Sequence, residues 1–294
     1  MAAPDHDPPR FFDRALLRRR QHRAQALGAE TFLFDRVAAD MDERLGAVVR
    51  TFDRAIDVGS PGEAVMQALG ARAGKAAAIA LPDSDSEPLP LAREAFDLAV
   101  SLFALQAVND LPGTLAQIRR ALKPDGYFLA AMAGGDTLTE LRQAFAAAEA
   151  EIEGGLSPRV APMVDLRDAG ALLQRAGFAL PVTDVDRVVV RYGHVFALMQ
   201  DLRRMGATNI LSERRRAPLR RATLARMAEI YGERFADADG RIRATFDIVW
   251  MAGWAPHDSQ PKPLKPGSAT MSLEEAVKKA GHPSASRPGE GRDP

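Results

Sequence analysis

The middle of the chain alternates between short apolar runs and an amphipathic segment. Residues 96–102 (FDLAVSL) form an apolar run of strand length, and residues 127–132 (YFLAAM) form another. Between them Leu115, Ile118 and Leu122 recur at spacings of three and four, which predicts one apolar face of a helix. A strand, a helix and a second buried strand make a βαβ unit, and such units build a parallel sheet that helices cover on both faces. The pattern predicts an α/β fold with a doubly wound, mostly parallel sheet.

The same periodicities predict the remaining elements. Residues 123–126 (KPDG) are expected to form a tight turn, because proline fixes φ and Gly126 accepts a positive φ. Thr137 and Glu140 have the spacing of a capping box at the start of a further helix. Other helices are expected at about 11–27, 31–48, 62–69, 166–176, 194–204 and 218–233, and other strands at 52–58, 76–81, 182–191 and 245–250.

This order of elements divides the chain into three parts. We expect a helical N-terminal extension over residues 1–50 and a sheet domain over 51–254, with a helical insert at about 192–240. Residues 255–294 are rich in proline, glycine, serine and lysine and are expected to be largely disordered. Only fourteen residues separate Leu81 from Phe96, too few for a crossover helix, a full strand and their turns. The third strand at one edge of the sheet is therefore expected to be trimmed.

Composition narrows the possible functions. Lys+Arg and Asp+Glu both number 39, so no net positive charge favours a nucleic-acid partner. The chain has no cysteine, which excludes disulfides, cysteine-ligated metals and thiol catalysis and is typical of a reducing cytoplasm. Its five histidines have no metal-ligand spacing, and no apolar run is long enough for a transmembrane helix. We therefore expect a cytoplasmic protein with no metal site and no transmembrane segment.

A glycine-containing turn follows the strand at 52–58 and is the first candidate binding site. Residues 57–62 (DVGSPG) place an acid and glycines where a doubly wound sheet binds ligands, outside the carboxyl ends of its strands. Asp57, Gly59 and Gly62 are candidates for holding the amino-acid end of S-adenosylmethionine (AdoMet). Pro61 and Glu63 stand where the usual AdoMet pattern has its next glycines. An ordinary β–α turn is the alternative.

Other polar residues also follow strands. After 76–81, Asp83 is the candidate to bind ribose hydroxyls, with Asp85 as second choice and a solvated acidic turn as the alternative. Beyond the later strands, the candidates for contacting substrate are Gln106, Asn109, Gly134, Gly135, Asp136 and Thr137. Asp136 has an alternative role as a helix cap. The arginines of 214–221 suggest either a partner-binding patch or a solvated helix face. No residue pattern nominates a general base, so the catalytic residues stay unknown.

Three motifs in the centre of the chain resemble class I AdoMet-dependent methyltransferases of the biotin-synthesis type, which act on malonyl carrier protein. They are residues 96–101 (FDLAVS), 108–112 (VNDLP) and 122–126 (LKPDG). A narrower resemblance, over about residues 11–275, is to the mitochondrial complex I assembly factors described as arginine hydroxylases. It is carried by residues 12–14 (FDR), 134–138 (GGDTL), 140–142 (ELR), 153–155 (EGG), 157–158 (SP), 244–246 (ATF), 253–254 (GW), 257 (H), 259–260 (SQ) and 267–270 (GSAT).

The resemblance implies a Rossmann-like AdoMet methyltransferase fold with AdoMet as cofactor. It also implies a role in maturing a subunit of the respiratory NADH:quinone oxidoreductase, with the iron–sulfur subunit at the quinone end as protein substrate. Through that partner the protein would lie at the periphery of the inner membrane. Two alternatives stay open. One is a non-catalytic assembly or binding protein with a degenerate cofactor site; the other is a carrier-protein methyltransferase of biotin synthesis.

Overall fold

A computed structural model describes residues 10–82 and 88–261. Its contacts divide the chain into Met1–His257 and Asp258–Pro294, and only residues 258–261 of the second unit are described. The predicted disorder of the tail therefore lies mostly outside the described residues. Six strands are present: β1 Phe52–Val58, β2 Ala73–Ile79, β3 Phe96–Leu102, β4 Leu122–Gly134, β5 Ala179–Tyr192 and β6 Ile242–Trp254.

Eight α-helices surround these strands in the described part of the chain. They are α1 Arg14–Ala26, α2 Phe32–Gly46, α3 Ala64–Arg72, α4 Leu111–Ala121, α5 Thr139–Glu153, α6 Leu166–Arg175, α7 Val195–Arg204 and α8 Arg221–Phe235. A short 3-10 helix spans Leu105–Ala107. The amphipathic segment predicted from leucine and isoleucine spacing is α4, which Asp110 caps by accepting a hydrogen bond from the Gly113 N–H at 2.9 Å.

The strands form one sheet in the order β2-β1-β3-β4-β6-β5. The pairs β2–β1, β1–β3 and β3–β4 are parallel, whereas β6 runs antiparallel to both β4 and β5. Parallel strands with helical crossovers place their carboxyl ends at one edge, so the turns after β1, β3 and β4 lie at the same side of the molecule. The predicted α/β doubly wound, mostly parallel sheet is confirmed.

Alternate side chains of each central strand enter two cores. In β3, Leu98 and Val100 pack on the face covered by α2, α3, α5, α7 and α8. Ala99 packs on the opposite face, which α4 and α6 cover. Both faces are buried, which explains why β3 and β4 are continuous apolar runs in the sequence.

The segment between β2 and β3 adds no described helix or strand to the fold. Its described residues, 80–82 and 88–95, form no helix or strand. Among the described strands β2 is thus an edge, next to β1 alone. This is the trimmed edge that the fourteen-residue spacing predicts.

The turn at 123–126 differs from its prediction. Phe96 pairs with Leu122 but Leu98 pairs with Tyr127, so these residues form an irregularity inside β4 rather than a turn before it. The positive φ falls on Asp125, at 62°, and not on Gly126. A Cβ at Gly126 would lie 2.9 Å from the Lys123 carbonyl oxygen, so close backbone approach is the reason for glycine there.

Candidate cofactor and substrate site

The turn after β1 is held together by its own side chains. Asp57 is 2% exposed, and its Oδ1 accepts hydrogen bonds from the Ser60 hydroxyl at 2.5 Å and the Ser60 N–H at 3.3 Å. The Ser60 hydroxyl oxygen in turn accepts a hydrogen bond from the Leu102 N–H at 2.8 Å, which ties the turn to the end of β3. Burial raises the pKa of Asp57, against the two hydrogen bonds from Ser60, which lower it.

We expect Asp57→Asn to raise the free energy of unfolding at pH 7 by about 1 kcal/mol, because the amide oxygen still accepts from Ser60 and carries no buried charge. A raised native pKa means that the carboxyl stabilises the fold below its unfolded pKa and loses that contribution as pH rises through the native pKa. The gain should therefore vanish in acid. Denaturant titration at pH 7 and near pH 3 checks this, with Asp57→Ala as the destabilised control.

Gly59 faces this chain's own side chains. Its φ is +80°, and its N–H donates to the Ile79 carbonyl oxygen at 2.9 Å, which draws the end of β2 against the turn. A Cβ added at Gly59 would lie 2.8 Å from Leu81 Cγ and 3.1 Å from Ala104 Cβ. Leu81 and Ile79 also pack against the core on the α4 side of the sheet. Apolar side chains therefore occupy the side of Gly59 on which a Cβ would lie, so only glycine fits at this position.

The rest of the turn offers few cofactor contacts. Gly62 has a φ of +73°, and a Cβ there would lie 3.8 Å from Phe34 Cε1. Pro61 has no N–H to donate, and Glu63 is the N-cap residue of α3 without a side-chain capping bond. Asp83, the predicted ribose ligand, lies outside the described residues. The AdoMet contacts predicted for Asp57, Gly59 and Gly62 stay a prediction.

The two predicted substrate residues after β3 both contact the protein itself. The Gln106 side-chain amide donates to the Phe103 carbonyl oxygen at 2.9 Å, while its Oε1 is buried without a hydrogen-bond partner among the described residues. Asn109 Oδ1 accepts from the Phe12 N–H at 2.7 Å, and Asn109 Nδ2 donates to the Phe12 carbonyl oxygen at 3.2 Å. Asn109 thereby holds the segment before α1 at the carboxyl edge of the sheet. Whether either residue also contacts a substrate stays a prediction.

The loop 134–137 (GGDT) is packed tightly on β6. A Cβ at Gly134 would lie 2.3 Å from Val249 Cγ2, and Gly135 has a φ of +42°. The Thr137 hydroxyl donates to the Asp247 carbonyl oxygen at 3.1 Å and accepts from the Asp247 N–H at 3.0 Å. These contacts fix the loop on β6, and the substrate role of its residues stays a prediction.

The predicted helix caps in this loop are wrong. The residue before α5 is Leu138, with a φ of 55° and no side-chain capping bond. Glu140 does not reach back to Thr137; its carboxylate accepts from the Thr245 hydroxyl at 2.5 Å and the Thr245 N–H at 3.1 Å. Tertiary partners on β6 thus take the groups that a capping box would use. The Asp136 carboxylate is likewise engaged elsewhere.

Arg187, Asp247 and Asp136 form an ion cluster at this end of the sheet, which the sequence analysis did not predict. Arg187 donates from Nε to Asp247 Oδ1 at 2.7 Å and from Nη2 to Asp247 Oδ2 at 2.8 Å. The same Nη2 lies 2.7 Å from Asp136 Oδ2. Asp247 is buried and Arg187 is 55% exposed. Burial raises the pKa of Asp247, but hydrogen bonds from Arg187 and the Asp136 N–H outweigh it and lower the pKa overall. The sequence offered one signal for this pair: Arg187 and Asp247 are charged residues inside the strands predicted at 182–191 and 245–250.

The hydrogen bonds of Thr137 and the ion cluster of Arg187 hold the loop after β4 against β6. No group of three His, Cys, Asp or Glu residues in the described part of the chain is arranged to bind a metal ion. No described helix is long and apolar enough to cross a membrane.

Comparison with known proteins places the chain in a family. Residues 54–130, from β1 into β4, match the model of a methyltransferase domain. The Mus musculus protein described as "Arginine-hydroxylase NDUFAF5, mitochondrial" is 41% identical over 290 residues, covering 91% of this chain and 84% of that protein. The Danio rerio protein of the same description is 37% identical and covers 91% and 89%. The chain belongs to the NDUFAF5 family of methyltransferase-domain proteins.

More distant matches agree with this family and fold. A malonyl-[acyl-carrier protein] O-methyltransferase of Laribacter hongkongensis is 41% identical over 181 residues, 62% of this chain and 58% of that protein. The crystal structure of the Bacillus subtilis YcgJ protein superposes with a TM-score of 0.51 at 12% identity, covering 75% of this chain and 98% of that one. The match to the NDUFAF5 relatives covers 91% of the chain and so extends beyond residue 130, where the methyltransferase-domain match ends. It therefore includes the loop 134–137 and most of the chain that follows.

Proposed function

We propose that this chain assists the assembly of the respiratory NADH:quinone oxidoreductase by binding one of its subunits, without turning over AdoMet. The observation that carries the proposal is Leu81 seated against Gly59, in a family member that otherwise matches its relatives over 91% of its length. The partner is a protein, and we propose the iron–sulfur subunit at the quinone end. The chain would work in the cytoplasm, at the inner membrane only through that partner.

The packing around the turn supports a binding role. A catalytic AdoMet site needs backbone groups of the glycine turn to face the cofactor at a helix N-terminus. Here Asp57 is engaged with Ser60, Gly59 with Leu81 and Ile79, and Pro61 offers no donor. The second half of the chain keeps long-range hydrogen bonds that fix a surface at the same edge of the sheet, such as those between Thr137 and Asp247.

Calorimetry with AdoMet and with S-adenosylhomocysteine tests the cofactor half of the proposal. We expect no binding at about 1 mM ligand, which corresponds to less than about 4 kcal/mol of binding free energy. The variant Leu81→Ala removes the side chain that fills the space beside Gly59 and serves as the matched comparison. If the wild-type chain binds either ligand with a Kd well below about 1 mM, the proposal that it does not use AdoMet is wrong.

A deletion strain of the source organism tests the assembly half. The wild-type gene should restore NADH:quinone oxidoreductase activity, and purified chain should bind the purified iron–sulfur subunit of the quinone end. The variants Leu81→Phe and Leu81→Met keep the space beside Gly59 filled, and both should restore activity as the wild type does. If the deletion strain has normal NADH:quinone oxidoreductase activity, the proposed role in assembly is wrong.

A second candidate function is modification of an arginine on the same subunit, either by methyl transfer from AdoMet or by hydroxylation with dioxygen and a two-electron reductant supplied from outside the chain. The retained Asp57 and Gly59, together with relatives described as arginine hydroxylases, favour it. Mass spectrometry of the subunit from wild-type and deletion strains decides between the two. A mass gain of one oxygen atom or one methylene group that depends on the gene supports catalysis, whereas an unmodified subunit in both strains supports binding alone.

The biotin-synthesis alternative has less support. The match to the malonyl-carrier-protein methyltransferase covers 62% of this chain and 58% of that protein, against 91% of this chain for the NDUFAF5 relatives. Growth of the deletion strain without biotin would exclude it, and biotin auxotrophy would restore it as the leading function.

A further inference from the structure

Strand β5 lies at one edge of the sheet and offers a long row of backbone groups. Among the described strands it pairs with β6 alone. From Val182 to Tyr192 its pairing with β6 keeps one register, and this stretch contains no proline, glycine or lysine. Prolines, bulges and lysines are features that protect an edge strand from pairing with other chains, so this part of β5 is open to a further strand.

The hydrogen bonds of β6 show which backbone groups of β5 point outward. The Thr245 carbonyl oxygen accepts from the Leu138 N–H at 2.7 Å, on the side of β6 away from β5. The Thr245 N–H turns to the same side, where Glu140 Oε2 accepts it at 3.1 Å. In an antiparallel ladder, two opposed residues that do not bond to each other direct their backbone groups to opposite sides. Val189, the partner of Thr245, therefore points its N–H and C=O out of the sheet.

This outward row continues at every second residue of β5. Val185 agrees with it from the outer side, because its N–H donates at 2.8 Å to the neighbouring Asp184 side chain rather than to β6. Val185 and Val189 are 41% and 48% exposed, whereas Arg187 and Arg191 pair with acids of their own chain. The row thus combines backbone groups that no described strand uses with apolar side chains and neutralised arginines. It consists of Val185, Arg187, Val189 and Arg191.

The charges of β5 select one antiparallel register for pairing with a second copy of itself. Such a pairing has two-fold symmetry, so each register is centred on a residue that lies opposite its own copy. A centre at Asp184, Asp186 or Arg187 places that charge opposite itself. A centre at residue 185 places Asp184 opposite Asp186, and one at residue 189 places Arg187 opposite Arg191. Like charges directly opposite each other are destabilising, and of these six centres only Val188 avoids them.

The register centred on Val188 also joins the outward row to itself. It places Val185 opposite Arg191 of the second copy, and Arg187 opposite Val189. Both members of each pair then direct N–H and C=O groups at each other, and such a pair exchanges two backbone hydrogen bonds. The aliphatic stems of the arginines cover the exposed valines.

We infer that β5 pairs antiparallel with β5 of a second copy of this chain, with Val188 at the two-fold axis, and joins two six-stranded sheets into one. The self-complementary row of backbone groups and the single register free of opposed like charges carry the inference. It does not depend on the proposed function, because it concerns the chain by itself.

Sedimentation equilibrium of the full chain measures the association. We expect twice the mass of one chain at about 100 μM, where a Kd of about 10 μM gives mostly dimer. Val185→Lys/Val189→Lys places two lysines opposite arginines and should weaken the dimer at least about tenfold. The matched control, Val49→Lys/Leu156→Lys, adds the same charges at exposed apolar positions outside β5 and should not weaken it. A chain that stays monomeric at this concentration, or equal weakening by both variants, would overturn the inference.

Single introduced cysteines test the register, because the chain has no cysteine of its own. Val188→Cys should form an intermolecular disulfide on mild oxidation, since residues opposed in a pair without hydrogen bonds have Cα atoms about 4.5 Å apart. Val185→Cys alone should not, because the register places its own copy six residues along the strand, about 20 Å away. A mixture of Val185→Cys and Arg191→Cys should crosslink.

Two outcomes point to another surface or another occupant. A dimer that Val188→Cys does not crosslink uses a different surface and contradicts the inference. A monomeric chain that binds an extended segment of a different protein, and loses that binding in Val185→Lys/Val189→Lys, also contradicts it, since β5 then pairs with a different strand. AdoMet calorimetry and rescue of the deletion strain measure other properties, so failure of the proposed function is distinguished from failure of this inference.

Discussion

Gly134→Ala should destabilise the protein more than any other single methyl addition considered for this loop. The new Cβ would lie 2.3 Å from Val249 Cγ2 and 2.9 Å from the Val164 carbonyl oxygen. Backbone on one side and a buried strand on the other leave no room to shift, so we expect a loss of about 3 kcal/mol, the upper end for overpacking. For a chain of this size that lowers Tm by about 6 to 12 °C.

Calorimetric or denaturant unfolding measures this loss, and Gly155→Ala is its control. No atom lies within 4 Å of a Cβ added at Gly155, so that variant should unfold like the wild type. Val249→Ala removes the nearest atom, and the double variant should lose less than the sum of the two single losses. If Gly134→Ala unfolds like Gly155→Ala, the loop is not packed against β6 as described.

The helices and strands were predictable from sequence where a segment is continuously apolar or has regular amphipathic spacing. β3 coincides with the run at 96–102, and α4 follows the spacing of Leu115 and Ile118. The shortness of the segment before Phe96 also predicted the missing edge strand, because chain length limits what can be built. These features depend on local sequence alone.

The site was less predictable because its contacts join residues far apart in sequence. Asn109 binds the backbone of Phe12, 97 residues away, and Arg187 binds Asp247, 60 residues away. No local pattern gives these partners. The same holds for the capping box at Thr137, whose hydroxyl bonds to β6 once the sheet is assembled. Local propensity was correct about a helix there and wrong about what begins it.

Leu81 shows the same limit for the cofactor question. The sequence showed that Pro61 and Glu63 depart from the glycine pattern: proline removes one backbone donor, and glutamate adds bulk and a charge. It did not show that the chain after β2 folds back so that Leu81 faces Gly59. That contact needs the parallel pairing of β1 with β2, which sets where β2 ends beside the turn.

Asp247→Asn should have the second largest effect. The buried carboxylate accepts two hydrogen bonds from Arg187 and one from the Asp136 N–H at 3.1 Å. An amide loses the charge and presents a donor to Arg187, so the contacts of the Asp247 side chain with Arg187 and with the Asp136 N–H are weakened, while the bonds of Thr137 and Glu140 to β6 remain. Breaking a buried pair costs about 3 to 5 kcal/mol, and because water solvates the half-exposed Arg187 we expect about 2 kcal/mol here.

The pH dependence identifies the cause of that loss. The native pKa of Asp247 is lowered, so its stabilising contribution is complete above the unfolded pKa of about 3.9 and disappears as pH falls through the lower native value. Wild type and Asp247→Asn should therefore differ most at neutral pH and converge near about pH 2, where the carboxyl is protonated in both the folded and the unfolded state. Asp136→Asn, which removes an exposed carboxylate from the same arginine, should change stability by less than about 1 kcal/mol. A stability difference that stays constant from neutral pH to about pH 2 would mean that packing rather than charge accounts for the role of Asp247.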